Sequence, residues 1–395
     1  MKHSLVFPDY NRSILNITAS ILQAYGLRSN YPPLPSLDPG KIREKNIVIN
    51  YIMDGLGYNI YQKYTESYQS HLAQFLRDRI TSVFPSTTTA AITSMRTGLS
   101  PYEHGALGWS LYFKEFFSMI DFLPHTNSLD NAFMDPEKYD SYSIMNFPSL
   151  LEEIGKKNDD LLIYNLMPKA YYQGPYSTKM AKASEIIPYE SINDLNSIIE
   201  HISVSDSDHK KFIMIYSPQP DATLHKSGTT DQEVYDTIHC LDMNIKQLET
   251  ILKDKNGMLI ISADHGLIDI KEYDYINDDE ELYDCLILPT FPESRFLSFF
   301  IKAHKKEQFL HAIRKYQDHY LFLSREELFQ KEFLGFGKMH KKVDDFIGDY
   351  VAIAVSDHAM KTVLWQSGKK EKEFKAHHSG LTADEMLVPL FIIEP

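Results

Sequence analysis

Three stretches of this chain read alike, and together they restrict it to one class of fold. Ile47 to Met53 (IVINYIM), Lys211 to Tyr216 (KFIMIY) and Gly257 to Ser262 (GMLIIS) are short, nearly unbroken apolar runs. Runs of that length bounded by turn residues read as strands buried on both faces, as in a parallel sheet. The first leads into Asp54-Gly55-Leu56-Gly57, the second into Ser217-Pro218-Gln219-Pro220-Asp221, and the third reaches Asp264-His265-Gly266. Helical stretches such as Asp231 to Leu252 lie between them. This alternation predicts an α/β fold, a mostly parallel sheet with helices on both faces. Ligands of open sheets gather beyond the carboxyl ends of the strands. The three aspartates are therefore expected at one shared site.

The remaining chain adds detail. Ser13 to Tyr25 places Ile14, Ile17, Ile21 and Leu22 at helical spacing, and Pro-rich Tyr31 to Pro39 reads as a loop. The texture changes over 291–357. Strands are expected at Arg295 to Ile301, His319 to Leu323 and Gly348 to Val355, and helices at Lys305 to Tyr316 and Arg325 to Phe333. This predicts a small α+β insertion at 291–357 within a catalytic α/β domain made of 1–290 and 358–395. Thr362 to Trp365 and Leu387 to Ile393 are expected to return to the main sheet.

Composition narrows the function classes. With 43% hydrophobic residues among 395, a large core can be buried. The formal net charge of −14, from 54 acidic and 40 basic residues, argues against a nucleic-acid polymer as partner, since phosphate backbones are gripped through Lys and Arg. Cys240 and Cys285 are too few for a disulfide framework. Met1 to Asn30 is interrupted by Asn11, Arg12 and Asn16, so no signal peptide is expected, and no apolar run is long enough to span a membrane. The expectation is a cytoplasmic protein acting on a small molecule.

Several short motifs carry metal-ligand chemistry. Asp221 and His225, four residues apart, share one side of a helical turn, and both suit zinc or manganese. Alone, such a pair is usually a capping aspartate with a solvated histidine. Asp264-His265-Gly266 could equally be an ordinary strand-to-loop turn. Asp54-Gly55-Leu56-Gly57 lacks the spacing of a dinucleotide or P-loop motif. His377-His378-Ser379-Gly380 precedes the last apolar strand. Together these fragments offer three aspartates and three or four histidines near strand ends, enough for two adjacent cations. The hydroxyl run Ser86-Thr87-Thr88-Thr89 precedes helix-forming Ala90 to Met95, where one member is expected to cap the helix. A helix N-terminus also stabilises phosphate, and a cation-bound hydroxyl there becomes a competent nucleophile. Spacing leaves all four hydroxyls open.

In order, these pieces resemble the alkaline phosphatase superfamily, and within it the type I phosphodiesterase/nucleotide pyrophosphatase family. The resemblance rests on MDGLG at Met53 to Gly57, FPSTTTAAITSMRTGLSPYEHG at Phe84 to Gly105, DxxxH at Asp221 to His225, ADHG at Ala263 to Gly266 and HSGLTADEMLVPL at His378 to Leu390. It implies an alkaline-phosphatase-like sheet and two divalent ions, zinc or alternatively manganese. It further implies Thr88 as nucleophile, one ion held by Asp221, His225 and His378, and the other by Asp54, Asp264 and His265 with Thr88. His377, beside the matching histidine, is a rival for His378. The implied reaction is cleavage of a phosphodiester or nucleotide pyrophosphate bond through a phosphothreonine. Where animal-type members carry an asparagine after the nucleophile, this chain has Trp109, whose indole N–H is only a donor, so Trp109 is expected to wall the substrate pocket. The alternatives are a phosphomonoesterase or phosphomutase on the same centre, or a non-catalytic metal-binding relative. A sulfatase is disfavoured because its signature is missing at Thr88 to Ile92.

Overall fold

The three apolar runs form the centre of a seven-stranded sheet. The structure, a computed structural model, describes residues 3–206, 208–363 and 373–395. The main strands are β1 (Ile47–Met53), β2 (Leu76–Thr81), β3 (Leu162–Pro168), β4 (Glu185–Tyr189), β5 (Lys211–Ser217), β6 (Gly257–Ser262) and β7 (Leu387–Ile393). They lie in the order β2-β7-β6-β1-β5-β3-β4, and β7 alone runs against the rest. Every residue of β1 is buried, as its continuous apolar run requires. Ile47 pairs with both Lys211 and Gly257, so Met53 ends opposite Ser217 and Ile52 opposite Ser262. This in-step register brings the three aspartates to one edge of the sheet.

Helices α1 (Ile14–Ala24), α2 (Thr88–Thr97), α3 (Asp221–Ser227) and α4 (Gln232–Leu252) frame that edge and the sheet. The α1 helix packs on α2, and Thr18 Oγ1 donates to the Met95 carbonyl at 3.2 Å.

Two sequence expectations need correction. Pro39 does not end a loop: it opens a helix, Pro39–Glu44, capped by Asp38 accepting from Gly40 N at 2.8 Å. Thr362 and Val363 do not rejoin the main sheet. The strand just before them, His358–Lys361, pairs in parallel with Glu272–Tyr275 in a separate two-stranded sheet, and Leu364 and Trp365 lie outside the described residues. The edge position belongs to β2, whose charged Arg77, Asp78 and Arg79 conceal a strand from any apolar pattern. Leu387 to Ile393 does return, as β7.

Within 291–357 an antiparallel four-stranded sheet runs in the order Phe291–Pro292, Phe296–Phe299, Tyr350–Ala354, Tyr320–Ser324. Its alternation divides two cores. Phe296, Val351 and Ile353 face the main core, whereas Leu297, Phe299, Ala352 and Ala354 pack on a second cluster with Phe309 and Ile313. That second cluster also draws on Ile276, Leu282 and Leu286, ahead of residue 291.

Candidate metal centre

Each strand end that delivers an aspartate turns in a way its sequence explains. Asp54 closes β1, and Gly55 follows with φ +75°. A Cβ on Gly55 would meet the Asp221 Cα at 2.8 Å, so only glycine gives both the turn and the close approach. Asp221 N donates to the Asp54 carbonyl at 2.9 Å, which locks the two aspartates together. Gly266 is needed after β6 for close approach alone: a Cβ there would sit 2.1 Å from the Asp384 carbonyl oxygen.

The donors fall into two triads. Asp54, Asp264 and His265 present atoms within 4.8 Å of one another, and so do Asp221, His225 and His378. His265 Nε2 lies 3.5 Å from Asp54 Oδ1 and 3.4 Å from Asp264 Oδ2, and His225 Nε2 lies 3.3 Å from Asp221 Oδ1. The His265 and His378 rings stack at 3.9 Å, so the triads are adjacent.

Hydrogen bonding assigns each donor a spare atom. Asp54 Oδ2 accepts from Tyr216 OH at 2.5 Å, and Asp264 Oδ1 accepts from Gly55 N at 3.0 Å and His265 N at 2.9 Å. Their other oxygens, Asp54 Oδ1 and Asp264 Oδ2, are buried without hydrogen-bond partners, as are Asp221 Oδ1 and His378 Nδ1. His225 Nδ1 pairs with the Ala376 carbonyl at 2.8 Å and His265 Nδ1 with the Gly266 carbonyl at 3.2 Å, leaving each Nε2 turned to its aspartates. Buried polar atoms without partners are costly, and three carboxylate oxygens and one imidazole nitrogen in that state fit cations.

The electrostatics agree. Burial, then the neighbouring Asp264 and Asp221, push the Asp54 carboxyl well above the usual range, and burial raises Asp221 and Asp264 as well. Burial likewise holds His265 and His378 below the ordinary imidazole value. Crowded carboxylates beside neutral imidazoles are a set that divalent cations would stabilise.

The hydroxyl run sorts itself by contact. Ser86 Oγ donates to the Gly380 carbonyl at 2.9 Å, Thr87 Oγ1 donates to Glu293 at 2.6 Å, and Thr89 is fully buried. Thr88, the first residue of α2, places Oγ1 3.1 Å from His265 Nε2 and lines the neighbouring cavity. The rivalry between histidines resolves the same way. His377 Nε2 pairs with Ser294 Oγ at 2.8 Å and its Nδ1 accepts from His378 N at 2.9 Å, so His378 is the one that joins Asp221 and His225.

A cavity of about 560 Å³ opens over Thr88, Asp221, His225 and His378. Trp109 lines it and is 42% exposed. Sequence reasoning missed Tyr216, Glu293 and the buried pair Arg295–Glu385. Glu385 accepts from Arg295 Nε and Nη2 at 2.7 Å each, and from Gly380 N and Thr382, so it fixes the loop that carries His378. Tyr216 had one legible signal, its place at the end of an apolar run; Glu293 had none.

A mostly parallel α/β sheet thus carries paired Asp/His triads beside a helix-terminal threonine. Residues 48–379 match the family model for type I phosphodiesterase / nucleotide pyrophosphatase, and the chain belongs to that family. Solved structures agree in fold. Murine ectonucleotide pyrophosphatase / phosphodiesterase 5 aligns with a TM-score of 0.61 and 16% identity over 88% of this chain and 87% of that one. The human protein aligns at 0.62 and 15%, over 89% and 88% respectively. Phosphonoacetate hydrolase from Sinorhizobium meliloti 1021 aligns at 0.60 and 15%, over 88% and 90%. No curated protein sequence matches the chain. Among the described residues, no helix is long and apolar enough to cross a membrane.

Proposed function

We propose that the chain hydrolyses a small phosphodiester or nucleotide pyrophosphate through a phosphothreonine on Thr88. The observation that carries this reading is the isolation of Thr88: of four neighbouring hydroxyls, only its oxygen touches the ligand triads. Asp54, Asp264 and His265 would hold one divalent ion, and Asp221, His225 and His378 the other, with zinc the expected metal and manganese acceptable to the same donors. When bound, such ions supply charge that eases loss of the Thr88 proton and offsets charge on the entering and leaving oxygens.

The chain's own residues do the rest. Thr88 Oγ1 forms a bond to phosphorus while the bond to the leaving alcohol oxygen breaks. Water then displaces the threonyl oxygen, so the sum is hydrolysis and the threonine is regenerated. The first turn of α2 offers free N–H groups and the positive end of its dipole to the phosphoryl oxygens, since Thr87 makes no side-chain cap. Tyr216 and the Gly55 and His265 amides aim the carboxylates. A threonine-to-alanine variant of the murine relative is described as inactive and holds AMP, which supports both the threonine and the substrate class.

Zinc-loaded protein is expected to hydrolyse bis-p-nitrophenyl phosphate and to lose that activity in chelator. Thr88→Ala should lower kcat on the order of 10³-fold or more with metal content intact. Equal turnover by the variant would overturn the assignment.

A further inference from the structure

We propose that Arg96 and Asn165 form a buried binding site, between α2 and β3, for a small monovalent inorganic anion such as chloride. The proposal is independent of the hydrolytic reading, because neither residue lines the cavity over Thr88. Arg96 lies in the last turn of α2 and is 2% exposed. A guanidinium keeps its charge inside a protein. Its Nη2 donates to Asn165 Oδ1 at 3.5 Å and to Met167 Sδ at 3.0 Å, both uncharged groups on β3. Arg96 Nε and Nη1 are buried without a hydrogen-bond partner, and so is Asn165 Nδ2. Because Asn165 Oδ1 is the atom that accepts from Arg96, its Nδ2 can only donate. Three partnerless donor nitrogens therefore gather at one positive charge.

Among the described residues no carboxylate pairs with this guanidinium. Burial works against its charge, and the groups that favour it, Tyr176 and Tyr216, are not acids of the carboxylate kind. Both hydroxyls are also engaged elsewhere, Tyr176 OH with Thr93 Oγ1 at 3.1 Å and Tyr216 OH with Asp54 Oδ2 at 2.5 Å. Beyond Tyr216, the aspartates of the two triads are the donors that divalent cations would claim, so they have no negative charge to spare. The contrast with other buried cations is internal to the fold. Arg295 is paired with Glu385 at 2.7 Å, and Lys342 with Glu115 at 2.9 Å and Asp345 at 2.8 Å. A buried charge left alone opposes folding strongly. Water would satisfy the three nitrogens and leave the charge unbalanced. A dianion would replace one surplus charge with another. A single monovalent anion accepts from the nitrogens and balances the guanidinium.

The test follows the thermal midpoint of zinc-loaded wild type and Arg96→Met in sodium chloride and in sodium gluconate at equal ionic strength. Methionine keeps a flexible apolar stem and removes the guanidinium. Wild type should gain about 1–2 °C for each tenfold rise in chloride above its dissociation constant, and gluconate, too large for the site, should give no such gain. Arg96→Met should lose the chloride-specific gain. Chloride acting at the metal centre would stabilise both proteins alike, so equal gains would overturn the proposal. So would a wild type whose midpoint is the same in both salts. Should the variant not fold, crystals of wild type grown in bromide decide the matter. Anomalous scattering should place a bromide within hydrogen-bonding distance of Arg96 and of Asn165 Nδ2. A water there, or nothing, would overturn the proposal. A bromide there without any chloride-specific gain in solution would be an ion bound at crystal concentration only, and would overturn it too.

Discussion

At the scale of single residues, the site is built from side chains whose hydrogen bonds leave one atom over. Tyr216 shows how: it ties up one oxygen of Asp54 and so aims the other. Tyr216→Phe should weaken metal binding about 10- to 100-fold, read by competition with a chelator, with little change in fold. Unchanged affinity would mean that the tyrosine does not orient the carboxylate. Glu293 carries a pH signature too. Burial lifts its carboxyl from the ordinary 4.5 to about 7, so the folded state favours the protonated form. Its contribution to stability is full below about 4.5 and is lost as pH rises to about 7. Glu293→Gln should therefore raise Tm more at pH 8 than at pH 4, a difference that paired melts at the two pH values would register.

At the scale of elements, strand ends and their turns place the donors. Gly55→Ala forces a side chain into a positive-φ turn against the Asp221 backbone. It should cost on the order of 1–3 kcal/mol in urea unfolding and lower metal content as well. The Arg295–Glu385 pair, fully buried, holds the loop before β7. Removing one partner, as in Arg295→Ala, leaves an uncompensated charge and should destabilise by about 3–5 kcal/mol, whereas Arg295→Met with Glu385→Leu should cost less. The elements also show what a sequence can reveal. β1, β5 and β6 were legible because a strand buried on both faces must be apolar throughout. β2 was not, because an edge strand tolerates Arg77, Asp78 and Arg79. The ligand triads were legible as ordered motifs at strand ends. Glu293 was invisible, since only the fold brings it beside Thr87, 206 positions away in the chain. Spacing left four hydroxyls and two histidines open; the family resemblance pointed to Thr88 and His378, while contacts made by Ser86, Thr87 and His377 were not legible in the sequence.

At the scale of the whole molecule, the sheet's in-step register turns three distant aspartates into one centre. Bringing these carboxylates together in a buried place opposes folding unless cations join them. Metal should then act as a folding ligand. At free zinc 100-fold above the dissociation constant, unfolding should be harder by about 2.7 kcal/mol per site, and chelator should remove that gain. The proposed catalysis passes through covalent phosphorylation of Thr88. The most direct measurement is acid quenching of zinc-loaded protein during turnover of bis-p-nitrophenyl phosphate, followed by mass spectrometry of the α2 peptide. A phosphoryl ester is expected on Thr88, and it should be lost in Thr88→Ala. Continued turnover with that threonine never modified would contradict it.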